Sequence, residues 1–371
     1  MTDRHPTRGA SVSPDGSAFA HIIEVDGYPR AVQHSLTIVT GQPLVNGSRF
    51  VTLPVEGPVH KVLYSPDGRW LACQVDPDGG ERSQVWVVNN DSADSQAWRV
   101  SDITDRNAEL VAWDGDLVAI TIEGDDGIGE SRLVEPATGW VEVVDRRRSG
   151  RFVDSWSGIH LVREGPRCDQ ALVLIRDARQ IPLLPPDPGS TTDPGRVLHE
   201  QPPGVVRVVA RTDHGADRLH LVEVTLTAQG AQREVVAYRP DAELDDFTVS
   251  EDGSTGVLLW NVHGGLSELQ LLSLPEGRLH EPIPLHAPVA SEPSISRDGT
   301  LLAVTVEGPG LPRSVELYST RSAQWLEITS PRQLPGPSLP LSGTVYARDG
   351  LELQGWLYHA PGFEAPGPVA V

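Results

Sequence analysis

The stretch SVSPDGSAFAHIIEVDG, residues 11–27, decides the fold because it recurs along the chain. Three copies are clear, namely LYSPDGRWLACQVDPDGG at 63–80, VSEDGSTGVLLWNVHGG at 249–265 and ISRDGTLLAVTVEGPG at 295–310. Weaker copies lie between them, namely VAWDGDLVAITIEGDDG at 111–127, VDSWSGIHLVREGPR at 153–167 and VARTDHGADRLHLVEVTL at 209–226. A motif that returns at a roughly constant interval indicates an array of similar structural units.

The turn glycine of each copy gives the period. These glycines are Gly16, Gly68, Gly115, Gly158, Gly215, Gly253 and Gly299, and the steps between them are 52, 47, 43, 57, 38 and 46 residues. Seven units of about 47 residues therefore account for the chain before residue 335, and a four-stranded propeller blade takes about 40 to 50 residues. The sequence predicts an all-β fold, a seven-bladed β-propeller of four-stranded blades, with all seven glycines in tight turns on one side of the ring.

The residues inside each unit fit this architecture. An Asp-Gly pair forms a tight turn between antiparallel strands, because Asp bonds the backbone that follows and Gly accepts a positive φ. The strand after the turn is apolar on both faces, as in TLLAVTVEG at 300–308, which is typical of a strand packed between neighbouring sheets. Each blade can be built from contiguous sequence, so no swapped strand is needed to close the ring. The segment LLPPDPGSTTDPG at 183–195 is predicted to be a mobile loop.

The composition limits the partners and the compartment. A formal net charge of −21 and a pI of about 4.9 disfavour nucleic acid and anionic membrane surfaces, because both would be repelled. Cys73 and Cys168 are the only cysteines, too few for a disulfide framework and not spaced as a zinc or redox pair. The N-terminus has no apolar signal segment, and no apolar run reaches membrane-spanning length. We expect a cytoplasmic protein with reduced thiols and with no nucleic-acid or membrane partner.

Motifs for catalysis and cofactor binding are missing from the sequence. It contains no G-x-S-x-G nucleophile elbow, no H-E-x-x-H, no C-x-x-C, no P-loop and no Rossmann glycine pattern. DPDGGE at 76–81 and EGDDGIGE at 123–130 carry carboxylates, but neither completes a calcium loop, so solvated turns are favoured over calcium sites. Asp213, His214 and His263 lie at predicted turns, where a structural role is favoured in the absence of a nucleophile. We therefore assign no catalytic, cofactor-binding or metal-binding residue, and no cofactor.

Tryptophans recur through the units. They are Trp70, Trp86, Trp98, Trp113, Trp140, Trp156, Trp260 and Trp325. Such rings could line a ligand-stacking channel, but packing within and between blades is favoured, because large rings recur wherever a repeat recurs.

The last part of the chain breaks the period. SPRQLPGPSLPLSG at 330–343 is predicted to be a linker, and TVYARDGLELQGWLYHAPG at 344–362 is predicted to be a hairpin around Asp349 and Gly350. PGPVAV at 366–371 reads as the start of another apolar strand. Because an isolated two-stranded hairpin is marginally stable, we expect this tail to be the least ordered part of the chain and to promote association.

Together, the sevenfold repeat and the hairpin resemble the prolyl oligopeptidase (S9-type) family of serine peptidases, especially its acylaminoacyl-peptidase and dipeptidyl-peptidase-like branch. The Ser-Pro-Asp-Gly turn is shared with other propellers, including TolB-like ones, whereas DGLELQGWLYHAPG at 349–362 leading into PGPVAV is more specific. In that family this hairpin opens an α/β-hydrolase domain, which then supplies the oxyanion segment, the nucleophile elbow, the Asp and the His. The present sequence stops before all of them.

The resemblance implies two parts, a propeller at 1–334 and, at 335–371, a linker with the first hairpin and strand of an absent α/β-hydrolase domain that would pack on the propeller. It implies the substrate-gating portion of a serine peptidase that cleaves short peptides, inactive alone, as a natural truncation or a fragment. The alternative is a stand-alone propeller that acts as a protein- or ligand-binding scaffold.

Overall fold

The computed structural model describes residues 5–39, 42–90, 96–102, 105–198, 202–262, 264–274, 276–326 and 340–358. Within these ranges, seven four-stranded antiparallel sheets follow one another, and strands that are consecutive in sequence are neighbours in each sheet. The first strand of every sheet lines a central channel. The predicted seven-bladed β-propeller is confirmed, and each blade is contiguous in sequence, so the ring closes without a swapped strand.

The strands of the blades have the following bounds. Blades 1 and 2 contain β1 (Thr7–Val12), β2 (Ala18–Val25), β3 (Tyr28–Val39), β4 (Gln42–Phe50), β5 (Val59–Tyr64), β6 (Trp70–Val75), β7 (Gln84–Asn89) and β8 (Ala97–Arg99). Blades 3 and 4 contain β9 (Asn107–Asp114), β10 (Leu117–Glu123), β11 (Ile128–Val134), β12 (Val141–Arg148), β13 (Arg151–Trp156), β14 (Ile159–Glu164), β15 (Ala171–Arg176) and β16 (Arg179–Pro182). Blades 5 to 7 contain β17 (Thr192–Val197), β18 (Val206–Thr212), β19 (His220–Thr227), β20 (Gly230–Ala237), β21 (Ala242–Val249), β22 (Thr255–Val262), β23 (Leu266–Ser273), β24 (Arg278–Leu279), β25 (Val289–Ile295), β26 (Leu301–Gly308), β27 (Leu311–Ser319) and β28 (Gln324–Leu326). A 3-10 turn at Pro77–Gly79 is the one helical element in the described ranges, which contain no helix long and apolar enough to cross a membrane.

The Ser-x-Asp-Gly turns are held by their own side chains. In blade 1, Ser13 Oγ donates to Asp15 Oδ1 (2.8 Å), which also accepts from the Ser17 N–H (3.0 Å). Ser13 Oγ in turn accepts from the Ala18 N–H (2.9 Å), and Gly16 has a φ of +67°. The same three bonds recur in the turns that begin at Ser65, Ser250 and Ser296. Ser, Asp and Gly therefore each have a role in the turn, whereas the second position is free to vary.

Blade 5 departs from the predicted turn pattern. Its inner strand is β17, which begins at Thr192. The prediction of a loop over 183–195 is therefore wrong for its last four residues, 192–195. Proline and glycine make the strand sequence TDPGRV look like a loop, but β17 is an edge strand with a bulge between Thr192 and Gly195. Proline is tolerated at edges and bulges, because no ladder hydrogen bond is lost there.

This correction changes the assignment of one turn glycine. We name the end of the ring with the connections between first and second strands the front face, and the opposite end the back face. Gly215 lies between β18 and β19, the second and third strands of blade 5, so the prediction that it shares one side with the other six is wrong. The front-face glycine of blade 5 is Gly204 (φ +78°), 46 residues after Gly158 and 49 before Gly253. The corrected period is more regular than the predicted one.

Every inner strand contains a β-bulge. In each of the seven blades, the first strand has one residue more than the stretch of the second strand that it pairs with. An inner strand exposes an unpaired edge to the channel, and bulges blunt such edges and redirect side chains.

Groups from one blade also cap the inner edge of the next. At six of the seven junctions, a side-chain oxygen of one blade accepts from a backbone amide of the next at 2.7 to 3.0 Å. The acceptor and donor pairs are Ser11 with Tyr64, Gln74 with Leu110, Thr121 with Phe152, Asp154 with Val197, Ser267 with Ala290, and Glu292 with Gly9. Between blades 5 and 6 the acceptor is the Leu219 carbonyl, which bonds the Leu244 amide (2.9 Å). All seven junctions, including the one that closes the ring between blades 7 and 1, are therefore bridged in the same direction.

The apolar core is divided among these junctions. Seven clusters of buried residues lie one at each interface between neighbouring blades. In β26, the six residues at 301–306 are all buried, which confirms the prediction that this strand is covered on both faces. Trp260 and Trp113 lie within such clusters, as predicted for blade packing, whereas the Trp140 side chain is half-exposed.

The predicted hairpin follows the ring. β29 (Leu341–Tyr346) pairs with β30 (Glu352–Leu357) in six consecutive positions, around a turn in which Gly350 has a φ of +87°. All twelve residues of the two strands are exposed. Residues 327–339 and 359–371 lie outside the described residues, and with them most of the predicted linker at 330–343 and the predicted strand at 366–371. The linker prediction is wrong at its C-terminal end, because β29 begins at Leu341.

Candidate functional site

The central channel encloses a space of about 500 Å³. Its walls are formed by the inner strands of all seven blades and, at one end, by the variable second positions of the front-face turns, such as Pro14, Pro66 and Arg297. The space therefore extends to the front face. Its charged lining residues are Lys61, Asp154, Arg196, Asp246, Glu251, Glu292 and Arg297.

Lys61 is the only lysine of the chain. Its side chain is exposed to the lumen, and its Nζ donates to the carbonyls of Leu110 (2.9 Å) and Val111 (3.3 Å) in blade 3. Burial, followed by the nearby Arg196, lowers the pKa of Lys61 to about 8, although carboxylates of the lumen act against this. Lys61 thus links blades 2 and 3 by hydrogen bonds from its side chain to the backbone.

Two aspartates of the lumen are shifted toward the neutral form. Burial raises the pKa of Asp154 to about 6, although Arg196 and the Val197 amide, which donates to Asp154 Oδ2 at 2.7 Å, oppose it. Burial likewise raises the pKa of Asp246, whose Oδ1 accepts from the Phe247 amide at 2.7 Å. The lumen therefore carries less negative charge near pH 6 than its composition indicates.

Glu292 joins the channel wall to the closure of the ring. It lies in the bulge of β25 with a φ of +54°, a conformation that side-chain-bearing residues rarely adopt. Its Oε2 accepts from the Gly9 amide (2.8 Å) and from Thr305 Oγ1 (3.1 Å). Gly9 itself has a φ of +62°, so both sides of this junction depend on left-handed backbone.

The channel is suited to noncovalent contact with polar chains. Among the described residues, no serine of the lining is hydrogen-bonded to a histidine, so the lumen offers no nucleophile with an attached base there. Its fixed charges of both signs and its edge-strand amides and carbonyls can instead contact the termini and the backbone of an extended peptide.

The candidate metal loops are held by local bonds. Asp76 accepts from Ser83 Oγ (2.5 Å) and contacts His60 (2.6 Å), while Asp126 Oδ1 accepts from the Ile128 amide (3.0 Å). In the described part of the chain, no group of three His, Cys, Asp or Glu side chains is arranged to hold a metal ion. Both acidic segments thus have the bonding expected of turns.

The candidate histidines do not meet in the channel. His214 contacts the Pro185 carbonyl (3.0 Å) and Arg233 (2.7 Å), and Asp213 accepts from the Thr191 amide (2.6 Å). These contacts lie at the back face of blade 5, and His263 lies outside the described residues. The charged lining was not predicted from the sequence, in which the one available signal was a lone lysine within the strand VHKVLY.

Comparison with known proteins yields similar structures but no similar sequence. No protein-family model and no curated protein matches the chain. A prolyl endopeptidase structure is 14% identical with a TM-score of 0.72, covering 98% of this chain and 56% of that one. Prolyl oligopeptidase B from Galerina marginata is 10% identical with a TM-score of 0.71, covering 95% and 54%. A puromycin hydrolase structure is 13% identical with a TM-score of 0.72, covering 98% and 60%.

Such low identities show the fold alone, and the fold agrees with the predicted resemblance. The matches extend over 95 to 98% of the chain. The chain therefore has the propeller architecture found in prolyl oligopeptidases, and it spans 54 to 60% of the length of these matched chains.

Proposed function

We propose that this chain is the propeller portion of a serine peptidase of the prolyl oligopeptidase type, which restricts access of peptides to an active site in a separate hydrolase domain. The fold likeness and its partial coverage of the matched chains support the proposal. On this proposal the molecule acts on short peptides in a soluble setting, and the chain is inactive by itself.

The observation that carries the proposal is the exposed apolar face of the hairpin. Leu341, Val345, Leu353 and Leu357 share one face with two glycines, because 341 pairs with 357 and 345 with 353. The other face carries mainly polar residues and Trp356, whose Nε1 donates to the Gly264 carbonyl of blade 6 at 3.4 Å. The hairpin thus turns its apolar face away from the ring, and a contiguous apolar surface of this kind is normally covered by a partner.

The position of the hairpin indicates where that partner would lie. Consecutive strands alternate in direction, so the fourth strand of blade 7, β28, runs toward the back face. Gly264 lies between β22 and β23, in a back-face turn. A hydrolase domain that covers the hairpin would therefore sit over the back face, and the front-face mouth of the channel would remain open to peptides.

The coding sequence after the Val371 codon tests the proposal. We expect an in-frame His-Gly-Gly segment followed by a G-x-S-x-G elbow, with Asp and His further on. The chain as given should also remain unlabelled by a fluorophosphonate probe, since it lacks the elbow. Unrelated downstream sequence, or stoichiometric labelling of a serine in this chain, would contradict the proposal.

The alternative is a stand-alone propeller that binds a protein or a small ligand. One observation favours it: all seven blades lie within residues 7–326, and the Gly9 amide of blade 1 closes the ring by donating to Glu292 and to Thr305 Oγ1 of blade 7. If the downstream sequence encodes no hydrolase motif, this interpretation replaces the first.

A further inference from the structure

A polar groove of about 680 Å³ lies between blades 1 and 2, beside the front face. Tyr64 and Pro14 border both this groove and the central channel, but the rest of the groove lies outside the channel. Its inner wall consists of buried polar side chains, including Gln33 and His34, which are 7% and 4% exposed. Buried polar groups of this kind are normally engaged in defined hydrogen bonds, so the wall is a fixed surface.

Arg49 is held in this groove by amides rather than by a carboxylate. Its Nε donates to Gln33 Oε1 (3.0 Å) and its Nη2 to Asn90 Oδ1 (3.5 Å). Gln33 Nε2 in turn donates to Asn90 Oδ1 (2.9 Å) and to the Tyr64 hydroxyl (3.0 Å), and Asn90 Nδ2 to the Gly68 carbonyl (3.0 Å). These bonds fix the guanidinium plane without neutralising its charge.

The bonds of Arg49 use one edge of the guanidinium. Nε and Nη2 form its side edge, which the two amide oxygens occupy. Within the described part of the chain, Nη1 has no hydrogen-bond partner and Arg49 has no carboxylate at ion-pair distance. The end-on pair of Nη1 and Nη2 is therefore free to bind a carboxylate with two parallel hydrogen bonds.

The Ser48 hydroxyl is a second donor in the groove, and two hydrogen-bonded histidines determine its orientation. His21 and His34 share a hydrogen bond between their Nε2 atoms (2.8 Å), and His34 Nδ1 contacts Ser48 Oγ (2.7 Å). His21 Nδ1 is buried and has no hydrogen-bond partner among the described residues. A buried orphan donor is rarer than a buried orphan acceptor, so the His21 proton belongs on Nε2.

This tautomer determines the direction of the remaining bonds. His21 donates to His34, and His34 donates from Nδ1 to Ser48 Oγ. The Ser48 hydroxyl proton is then free to be donated into the groove. Burial lowers the pKa of His21 to about 3 and that of His34 to about 4, so both rings stay neutral at pH 7.

A negative charge lies at the other side of the groove. Asp15 Oδ1 accepts the bonds of the blade 1 turn, whereas Oδ2 accepts none from the described residues. Asp15 and Arg49 are both close enough to Tyr64 to act on its pKa, which burial raises to about 12, with Arg49 lowering it and Asp15 raising it. The groove thus presents a free cation and a free carboxylate oxygen around one hydroxyl.

We propose that this groove binds a small zwitterion, a free amino acid or a short peptide, with its carboxylate on Arg49 and Ser48 and its ammonium group on Asp15. A ligand with charges of both signs matches both free groups at once. Asp15 and Asp67 line the same groove, so a phosphate or another polyanion would be repelled. All the residues that would bind the ligand belong to blades 1 and 2, so this binding does not depend on the proposed peptidase function.

Calorimetric titration of the whole chain with L-alanyl-L-alanine at pH 7.5 tests this. We expect saturable binding in the range of about 0.1 to 10 mM, with acetate and methylammonium each at least about tenfold weaker. Arg49→Lys keeps the positive charge but removes the pair of guanidinium donors that binds a carboxylate, and it should weaken binding by about tenfold or more. Ser48→Ala should weaken binding by about three- to tenfold. Arg30→Ala removes an exposed arginine of the same blade outside the groove, and should leave binding unchanged.

Three results would overturn the proposal. They are absence of binding up to about 10 mM dipeptide, unchanged binding in both Arg49→Lys and Ser48→Ala, and tighter binding of inorganic phosphate than of the dipeptide. Arg49 and Ser48 lie exposed in an outermost strand, so both variants should fold, and thermal unfolding curves that overlay the parent confirm this.

Discussion

The second strand of blade 7, β26, and the second strand of the hairpin, β30, face opposite environments. β26 has a strand on each side and a blade on each face, and residues 301–306 are all buried. β30 has one neighbouring strand, and its six residues are all exposed. Burial in this molecule therefore arises at the junctions between blades. A two-stranded ribbon has no blade on either face, so its apolar side chains stay exposed until a further layer covers them.

The largest expected difference concerns leucine truncation in the two strands. Leu302→Ala should destabilise the propeller by about 2 to 5 kcal/mol, because Leu302 is fully buried between blades 6 and 7. Leu353→Ala should cost less than about 0.5 kcal/mol, because this side chain is 43% exposed in the hairpin. Chemical denaturation monitored by tryptophan fluorescence measures both. Equal destabilisation by the two substitutions would show that the hairpin is packed as tightly as the ring.

A smaller effect is expected from the buried carboxyl of Asp154, compared with an exposed carboxyl of the hairpin. Its folded pKa of about 6 lies above the unfolded value near 3.9, so the folded state holds this proton more tightly. The carboxyl therefore costs stability as the pH rises from about 4 to 6, and the cost persists above that range. Asp154→Asn should raise the unfolding free energy at pH 7 by up to about 3 kcal/mol and change it little at pH 4.

The amide of Asp154→Asn can still accept from the Val197 N–H, so the inter-blade bond is retained. Glu352→Gln, at an exposed position of β30, is the matched control and should change stability at neither pH. Chemical denaturation of both variants and the parent at pH 4 and pH 7 measures these differences in the free energy of unfolding. A gain from Asp154→Asn that is the same at both values would refute the assigned cause.

A still smaller effect is expected from removing the aspartate of a turn, in blade 7 and in the hairpin. Asp298 accepts from Ser296 Oγ (2.8 Å), the Thr300 amide (3.1 Å) and Thr300 Oγ1 (2.7 Å) in blade 7. Asp349 accepts from the Leu351 amide (3.1 Å) in the exposed hairpin turn. Asp298→Ala should cost about 1 to 2 kcal/mol, and Asp349→Ala less than about 0.5 kcal/mol. Thermal unfolding of the two variants checks this. A larger loss of stability in Asp349→Ala than in Asp298→Ala would show that the hydrogen bonds of Asp298 do not stabilise the blade 7 turn.

The smallest effect is expected from removing the hairpin altogether. Deletion of residues 335–371 should leave the unfolding temperature within about 2 °C of the parent, because all seven blade junctions remain. The shortened chain should also be more monodisperse in size-exclusion chromatography with light scattering, because the exposed apolar face is gone. Loss of the folded ring on deletion would show that the hairpin supports the propeller.

Most of the fold could be predicted because its signals are local. Ser, Asp and Gly each have a bonding or conformational role within the turn, so the period is visible wherever the motif is intact. The inner strand of blade 5 was missed, because Thr192–Val197 is a strand by virtue of its neighbours. Its Val197 amide is capped by Asp154 of blade 4, and its Pro and Gly indicate a loop when read alone.

The candidate site was less predictable for the same physical reason. The channel brings together single side chains from seven strands that lie far apart in sequence, and none of these has a motif of its own. Lys61 stands out in composition, but its inter-blade bonds to Leu110 and Val111 depend on the closed ring. Likewise, the groove beside Arg49 depends on side chains from two blades, including Gln33 and Asn90.

Hydrogen exchange of the intact chain tests the central proposal most directly, namely that the propeller folds as a unit of its own and that a further domain covers the apolar face of the hairpin. We predict slow exchange for the amides of β26, near the limit set by global unfolding, because the strand is paired on both sides and covered on both faces. We predict exchange that is faster by orders of magnitude for the amides of β29 and β30. If the hairpin amides exchange as slowly as those of β26, the hairpin is an integral part of this molecule, and the claim that it awaits a further domain is contradicted.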